Sequence, residues 1–231
     1  MKAVFFDLDN TLYSYDRAHG QAYAAVQALA GRELGLSPAA FDRLHREANA
    51  ILTRRCGGGP PIHDRMLRFQ ILLERLGKPI GLAPVLADCY WRTLLDAMEA
   101  EPGAVQTLRA LKDRGLTLGI GTNMTLDWQL EKLRRLGLLE LVDFVVTSEE
   151  VGVEKPDPKL FALCAEKADA PAEACCFVGD SLEKDALAAR NCGMLGVWYC
   201  PGGSDRSLEE VPILRALPEL PALLAGLSKT C

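Results

Sequence analysis

The sequence predicts an α/β fold: a parallel sheet of βαβ units, split by an inserted all-helical unit. Three observations carry this. Ala3-Val4-Phe5-Phe6 is a continuous apolar run, which suits a strand buried on both faces. From Tyr15 to about Ala100 apolar residues recur at helical spacing, with no strand pattern among them. After Glu101-Pro102-Gly103, strand-like and helix-like stretches alternate, the pattern of a parallel sheet with crossover helices. The sheet domain is therefore expected over residues 1–14 and 101–231, and the helical insertion over residues 15–100.

Taken in order, the first insertion helix covers residues 18–33, with Ala18, Ala22, Ala25, Val26 and Leu29 on one stripe. Ser37-Pro38 opens a second, with serine as N-cap and proline in the first turn. Gly57-Gly58-Gly59-Pro60-Pro61 is the clearest internal breaker. A third helix runs through Met66, Phe69 and Leu72 to Gly77, and a fourth from about Pro84 to Met98. Four helices with short connections make a bundle. In the second part, helices are expected at 104–114, 126–136, 158–168 and 183–191. Strands are expected at 116–121, 141–147, 174–178 and 194–198. The tail from Ser204 reads as a polar turn and a Leu-rich closing helix.

Composition narrows the function classes. The 231 residues are 49% hydrophobic and 25% charged, enough to bury a full core. A net charge of −5 argues against a nucleic-acid surface, which needs a basic footprint. No apolar run approaches the roughly 18 residues of a membrane span, and the N-terminus lacks the order of a signal peptide. The eight cysteines form no C-x-x-C pair and lie scattered through apolar segments, so a reducing cytoplasm is expected. His19, His45 and His63 are isolated, and each is read as a surface or core residue rather than a metal ligand. Nothing in the chain sets an oligomeric state.

The first strand runs straight into Asp7 and Asp9. Residues i and i+2 of a strand point the same way, so the two acids are expected to share a face. Such neighbours are tolerable beside a cation, or when one of them holds a proton. The other reading is a strand end capped by solvated acids. Ligands in open parallel sheets sit outside the carboxyl ends of the strands, and other polar residues collect there. Thr122-Asn123 ends the second strand before a helix, where a hydroxyl and backbone N–H groups can hold phosphate. Taken alone, the pair could equally be a plain N-cap. Lys155 precedes Pro156, and alone could mark a plain turn. Gly179-Asp180-Ser181 ends the fourth strand, with Asp185 beyond it. Asp7, Asp9 and Asp180 offer hard oxygen ligands suited to Mg²⁺.

Taken together these stretches resemble the haloacid dehalogenase-like (HAD) superfamily, most of whose members are phosphohydrolases. Its four motifs appear in order: Asp7-Leu8-Asp9-Asn10-Thr11, then Thr122, then Lys155-Pro156-Asp157-Pro158, then Gly179-Asp180-Ser181-Leu182-Glu183-Lys184-Asp185. The resemblance implies a doubly wound, Rossmann-like parallel-sheet core, with the helical insertion as a type-1 cap. It implies that Asp7 is the nucleophile and Asp9 the acid and then the base. Thr122, the backbone of Asn123 and Lys155 would bind phosphate, with Lys155 also steadying Asp7. Mg²⁺ would be held by Asp7, Asp180 and the Asp9 carbonyl. Thr11 would support the turn, and Asp185 would orient water or Lys155.

Within that family an acid at the Asp9 position favours phosphate esters, since dehalogenases and phosphonatases lack it. The implied activity is Mg²⁺-dependent hydrolysis of a small phosphorylated metabolite through an aspartyl-phosphate. The alternatives are a sugar phosphomutase of the same superfamily and a catalytically idle binding or regulatory relative. Substrate choice is assigned to the cap and to Tyr13, Tyr15, Asp16 and His19 after the first motif. The cap loosely resembles that of pyrimidine 5′-nucleotidases of the family. Arg54-Arg55 could touch a second anionic group, but the base rate for charged residues places them on the solvated surface.

Overall fold

The computed structural model describes residues 1–57, 59–203 and 211–227. The chain forms two compact units, one of residues 1–14 with 99–231 and one of residues 15–98. Strand β1 (Ala3–Phe6) is buried throughout. The all-helical unit follows with α1 (Tyr15–Leu34), α2 (Pro38–Cys56), α3 (Arg65–Leu76) and α4 (Ala83–Ala97). In α1, Ala18, Ala22, Val26 and Ala30 recur at i+4 and bury a ridge of small side chains, along which α4 packs. Helix α2 starts where its sequence signals it: Ser37 Oγ accepts from Ala40 N at 3.3 Å, and Pro38 fills the first turn. It ends at Gly57, whose φ of 61° is a left-handed cap. Helix α3 is capped by Asp64, which accepts from Leu67 N at 3.1 Å. Burial of each Phe41, Leu72 or Leu94 contributes about 1.5–3 kcal/mol.

The other unit continues with α5 (Ala104–Lys112), β2 (Thr117–Thr122), α6 (Leu126–Arg135), β3 (Phe144–Thr147), α7 (Ser148–Val151), α8 (Pro158–Lys167) and β4 (Cys175–Gly179). A π-helical turn, Leu182–Leu187, leads into α9 (Ala188–Asn191), then β5 (Leu195–Tyr199), β6 (Ile213–Leu214) and α10 (Leu220–Leu227). The six strands form one parallel sheet in the order β3-β2-β1-β4-β5-β6. Phe6 lies opposite Ile120 on β2 and Val178 on β4, so β2 runs two residues and β4 one residue beyond the end of β1. The order reverses at β1, and a crevice opens there at the carboxyl edge. On one face, Ala3 and Phe5 pack with Phe177, Leu160 and Phe161. Cys175 and Cys176 are buried strand residues, and the seven described cysteines are free. No described helix is long and apolar enough to cross a membrane.

Several expected elements change. The third strand begins at Phe144 rather than 141, because residues 139–141 form a 3₁₀ turn. The Asp143 carboxylate takes the Leu118 N–H at 2.8 Å, a bond that a strand carbonyl would otherwise make. The helix expected over 183–191 opens as a π turn, with Asp185 N and Ala186 N both donating to the Ser181 carbonyl. The short β6 and α7 were not expected. The closing helix forms, whereas the polar turn at residues 204–210 and Cys231 lie outside the described residues.

Candidate active site

Strand β1 stops at Phe6, so strand alternation is not what brings Asp7 and Asp9 together. Asp7 N still donates to the Val178 carbonyl at 2.9 Å, but the chain then turns, with Asn10 at a φ of 59°. Both acids line one cavity of about 250 Å³, with Thr122, Asn123, Lys155, Asp180 and Asp185. The cavity therefore collects the residues expected for nucleophile, proton transfer, phosphate and metal.

Lys155 organises the floor. Its Nζ lies 2.9 Å from Asp7 Oδ1 and donates to Asp185 Oδ1 at 2.7 Å and to the Gly121 carbonyl at 3.0 Å. Burial opposes the ammonium charge, yet Asp185 and Asp7 hold its pKa above the ordinary lysine value. Burial also pushes the Asp7 carboxyl well above the usual carboxylate range, against the pull of Lys155. Asp180 is pushed up to about 6, first by burial and then by Asp185. Three carboxylates, Asp7, Asp180 and Asp185, thus crowd around Lys155, with Lys184 lining the same cavity. Asp7, Asp180 and Asp185 each present a ligand oxygen, all within 4.8 Å of one another, and this hard-oxygen set fits a divalent cation.

Neighbouring loops fix these groups. Thr11, fully buried, accepts from Asp180 N at 3.0 Å, while Trp198 Nε1 donates to the Asp180 carbonyl at 2.8 Å. Asp185 Oδ2 accepts from Ser181 N at 3.0 Å, so both of its oxygens are engaged. Asn123 spends its side chain on the Lys155 loop: Oδ1 accepts from Lys155 N at 2.8 Å, and Nδ2 donates to Lys155 O at 3.2 Å. The Thr122 hydroxyl accepts from Gln129 Nε2 at 2.7 Å, which leaves its own proton for a ligand.

Helix α6 carries the residues that sequence reasoning missed. Its inner face holds Gln129, Lys132 and Leu133, whereas Leu126 and Leu130 are exposed. Lys132 Nζ donates to Asp9 Oδ1 at 2.7 Å and Oδ2 at 3.1 Å. Tyr13 Oη donates to the same Oδ1 at 2.6 Å. Spacing alone does not flag this face: Leu126, Leu130 and Leu133 recur at i, i+4 and i+7, so the sequence pattern points to the leucines rather than to Gln129 and Lys132.

The four residues expected to set specificity separate. Tyr13 is fully buried and holds Asp9. Tyr15, Asp16 and His19 belong to the helical unit. There Tyr15 stacks on His19, with ring centroids 5.2 Å apart, and Asp16 is exposed in the first turn of α1. Arg54 and Arg55 are both exposed.

The model of the haloacid dehalogenase-like hydrolases matches residues 1–193, and the chain belongs to that family. It is 38% identical over 211 residues to a ribulose-1,5-bisphosphate 5-phosphatase of Halopiger xanaduensis, covering 90% of this chain and 88% of that relative. It is 36% identical over 204 residues to a glyceraldehyde 3-phosphate phosphatase of Methanopyrus kandleri, covering 85% and 83%. Among solved structures, a HAD phosphatase from Thermococcus onnurineus superposes with a TM-score of 0.75 at 30% identity, covering 98% of this chain and 99% of that one. A 2-haloacid dehalogenase from Pseudomonas syringae pv. Tomato gives 0.78 at 27% identity over the same shares.

Proposed function

We propose that this hydrolase of phosphate monoesters acts on a small phosphorylated carbohydrate or similar metabolite, through an aspartyl-phosphate on Asp7. The observation that carries the reading is the pair of carboxylates with separate partners: Asp7 against Lys155, and Asp9 against Lys132 and Tyr13. Two acids held apart in this way can take two roles.

A bound Mg²⁺ supplies positive charge that offsets the repulsion between Asp7 and an anionic phosphate. Asp7, Asp180 and the Asp9 carbonyl would hold it. Asp185 stands in the same acidic group, but its oxygens are spent on Lys155 and Ser181, so it positions Lys155. The Thr122 hydroxyl proton binds an oxygen of the transferring group, and the Lys155 ammonium, whose three N–H groups are held by Asp7, Asp185 and the Gly121 carbonyl, stabilises its negative charge. An Asp7 oxygen attacks phosphorus and the ester P–O bond breaks. Asp9 delivers its proton to the leaving alkoxide. It then takes a proton from water, and that oxygen attacks phosphorus to release phosphate and free Asp7. Dehalogenation needs no such proton, so the well-held acid at Asp9 favours the ester reading over the dehalogenase likeness.

Names of the relatives support carbohydrate phosphates as the substrate class, and the free cysteines support a reducing cytoplasm. The test is hydrolysis of p-nitrophenyl phosphate with and without Mg²⁺, with Asp7→Asn as control, followed by a panel including glyceraldehyde 3-phosphate and ribulose 1,5-bisphosphate. Metal-dependent turnover that Asp7→Asn abolishes is expected. Turnover equal in the variant, isomerisation without phosphate release, or halide release from 2-haloacids in place of phosphate release overturns the reading.

A further inference from the structure

The helical unit holds a polar cluster that the chemistry above does not use. Arg65 and Arg68 lie three residues apart on α3, at 6% and 9% exposure. Arg65 Nη1 donates to the His63 carbonyl at 2.8 Å, and its Nη2 donates to Tyr15 Oη at 2.9 Å and Tyr90 Oη at 3.3 Å. Its guanidinium lies 4.9 Å from the centroid of the Tyr90 ring. Arg68 Nη2 donates to the Ile62 carbonyl at 2.7 Å. His19 Nδ1 lies 2.8 Å from Tyr90 Oη.

All these acceptors are neutral. They fix the two guanidinium groups but leave both charges in place. Neither arginine enters an ion pair among the described residues. The neighbouring acids are occupied: Asp64 caps α3, and Asp42 accepts from Tyr23 and Gln27. The Nε of each arginine is buried with no hydrogen-bond partner. Burying an unpaired charge is costly, and buried charges are ordinarily paired. The nearby histidines feel the positive field, which Asp42 and Asp16 offset only in part. Burial first, then Arg68 and Arg65, hold His45 down to about 3, and burial, Arg65 and Arg68 lower His19.

We infer that Arg65 and Arg68, with the Tyr15 and Tyr90 hydroxyls, form a binding site for a phosphate dianion. Two planar guanidinium forks with unspent N–H groups match the charge and the several oxygens of that ion. The inference deepens the hydrolase reading and rests on it only for the source of the phosphate: a substrate carrying a second phosphate supplies one, and free phosphate is the other source.

All three histidines of the chain lie in the helical unit, so their ring signals report on that unit alone. The experiment titrates full-length Asp7→Asn protein with inorganic phosphate, and separately with acetate, while the histidine C–H resonances are followed by NMR. Saturable shifts of His19 and His45 with phosphate and not acetate are expected, with binding weakened about ten-fold or more in Arg68→Gln and less in Arg68→Lys. The bound anion should also raise the pKa of His45, which faces Arg65, Arg68, His19 and Asp42. Silent histidines, equal shifts with acetate, or unchanged affinity in both Arg68 variants overturn the site. The wild-type titration decides it even if a variant does not fold. The active protein then separates the sources. If kcat/KM for ribulose 1,5-bisphosphate falls in Arg68→Gln more than that for glyceraldehyde 3-phosphate, the phosphate is the substrate's own. If both change alike while phosphate still shifts His45 of the wild type, it is a free ion. Silent histidines with intact Mg²⁺-dependent turnover sink this site alone, and shifted histidines without turnover sink the hydrolase reading alone.

Discussion

Lys132 grips both carboxylate oxygens of Asp9, at 2.7 and 3.1 Å, from a side chain that is itself fully buried. With Tyr13 on Oδ1, the pair fixes the orientation of the proposed acid. Lys132 is thus a positioning residue that acts through Asp9. Lys132→Met is expected to lower kcat about 10–100-fold, because a misplaced proton donor forfeits much of general acid–base catalysis. KM should change less, since Lys132 pairs with the proton carrier rather than with phosphate. Lys132→Arg should recover part of the loss. Steady-state kinetics on p-nitrophenyl phosphate for the three proteins measure this, and an equal loss in Met and Arg variants would count against positioning.

Gly179 has no room for a side chain: a Cβ there would collide with the Asp185 carboxyl group. Asp185 in turn holds Lys155 at 2.7 Å, and Lys155 holds Asp7 at 2.9 Å. Gly179→Ala should therefore lower activity without touching Asp7, the proposed nucleophile, and destabilise the protein by about 1–3 kcal/mol through overpacking. Activity assays set beside urea unfolding read both effects. Wild-type kinetics in the variant would show that Asp185 can yield without disturbing Lys155.

Much of this arrangement is legible in the sequence. The apolar run of β1, the Pro158 helix start and the Gly-Asp-Ser strand end all obey local rules of periodicity and turn chemistry. What local rules could not show is pairing between distant residues. Lys132 and Asp9 are 123 positions apart, and a lysine on a helix is ordinarily read as solvated. On α6 the leucine spacing of Leu126 and Leu130 marks a face that the fold leaves exposed. Arg65 and Arg68 were hidden for the same reason, whereas the exposed Arg54 and Arg55 behave as charged residues usually do.

Metal removal should be felt in stability as well as rate. Asp7, Asp180 and Asp185 bring three carboxylate oxygens within 4.8 Å, of which Asp185 is turned to Lys155, so the charge of Asp7 and Asp180 is left for a cation. A divalent ion that binds only the folded form adds stability by mass action, about 2.7 kcal/mol at a hundred times its Kd. Thermal unfolding in EDTA should therefore occur below that in excess Mg²⁺, and Asp180→Asn should shrink the difference. An unfolding temperature insensitive to Mg²⁺ in the wild type would argue against a folded-state cation at these acids.

The helical unit should be the acid-sensitive part of the chain. His45 lies among the rings of Tyr23, Phe41 and Phe69, and is depressed from 6.5 to about 3 by burial, Arg68 and Arg65. A folded-state pKa below the unfolded one means that the unfolded chain binds more protons at acid pH. The contribution of neutral His45 is therefore fully present above about pH 6.5 and is lost progressively as the pH falls towards 3. Phenylalanine at this position keeps the ring packing and cannot take up a proton. His45→Phe is expected to match the wild type near neutrality and to lose less stability on acidification. Thermal unfolding followed by circular dichroism across pH 4 to 7 should show a shallower slope for the variant. Parallel slopes would mean that His45 protonates as readily in the folded unit as in the unfolded chain, and that Arg65 and Arg68 exert no net field on it.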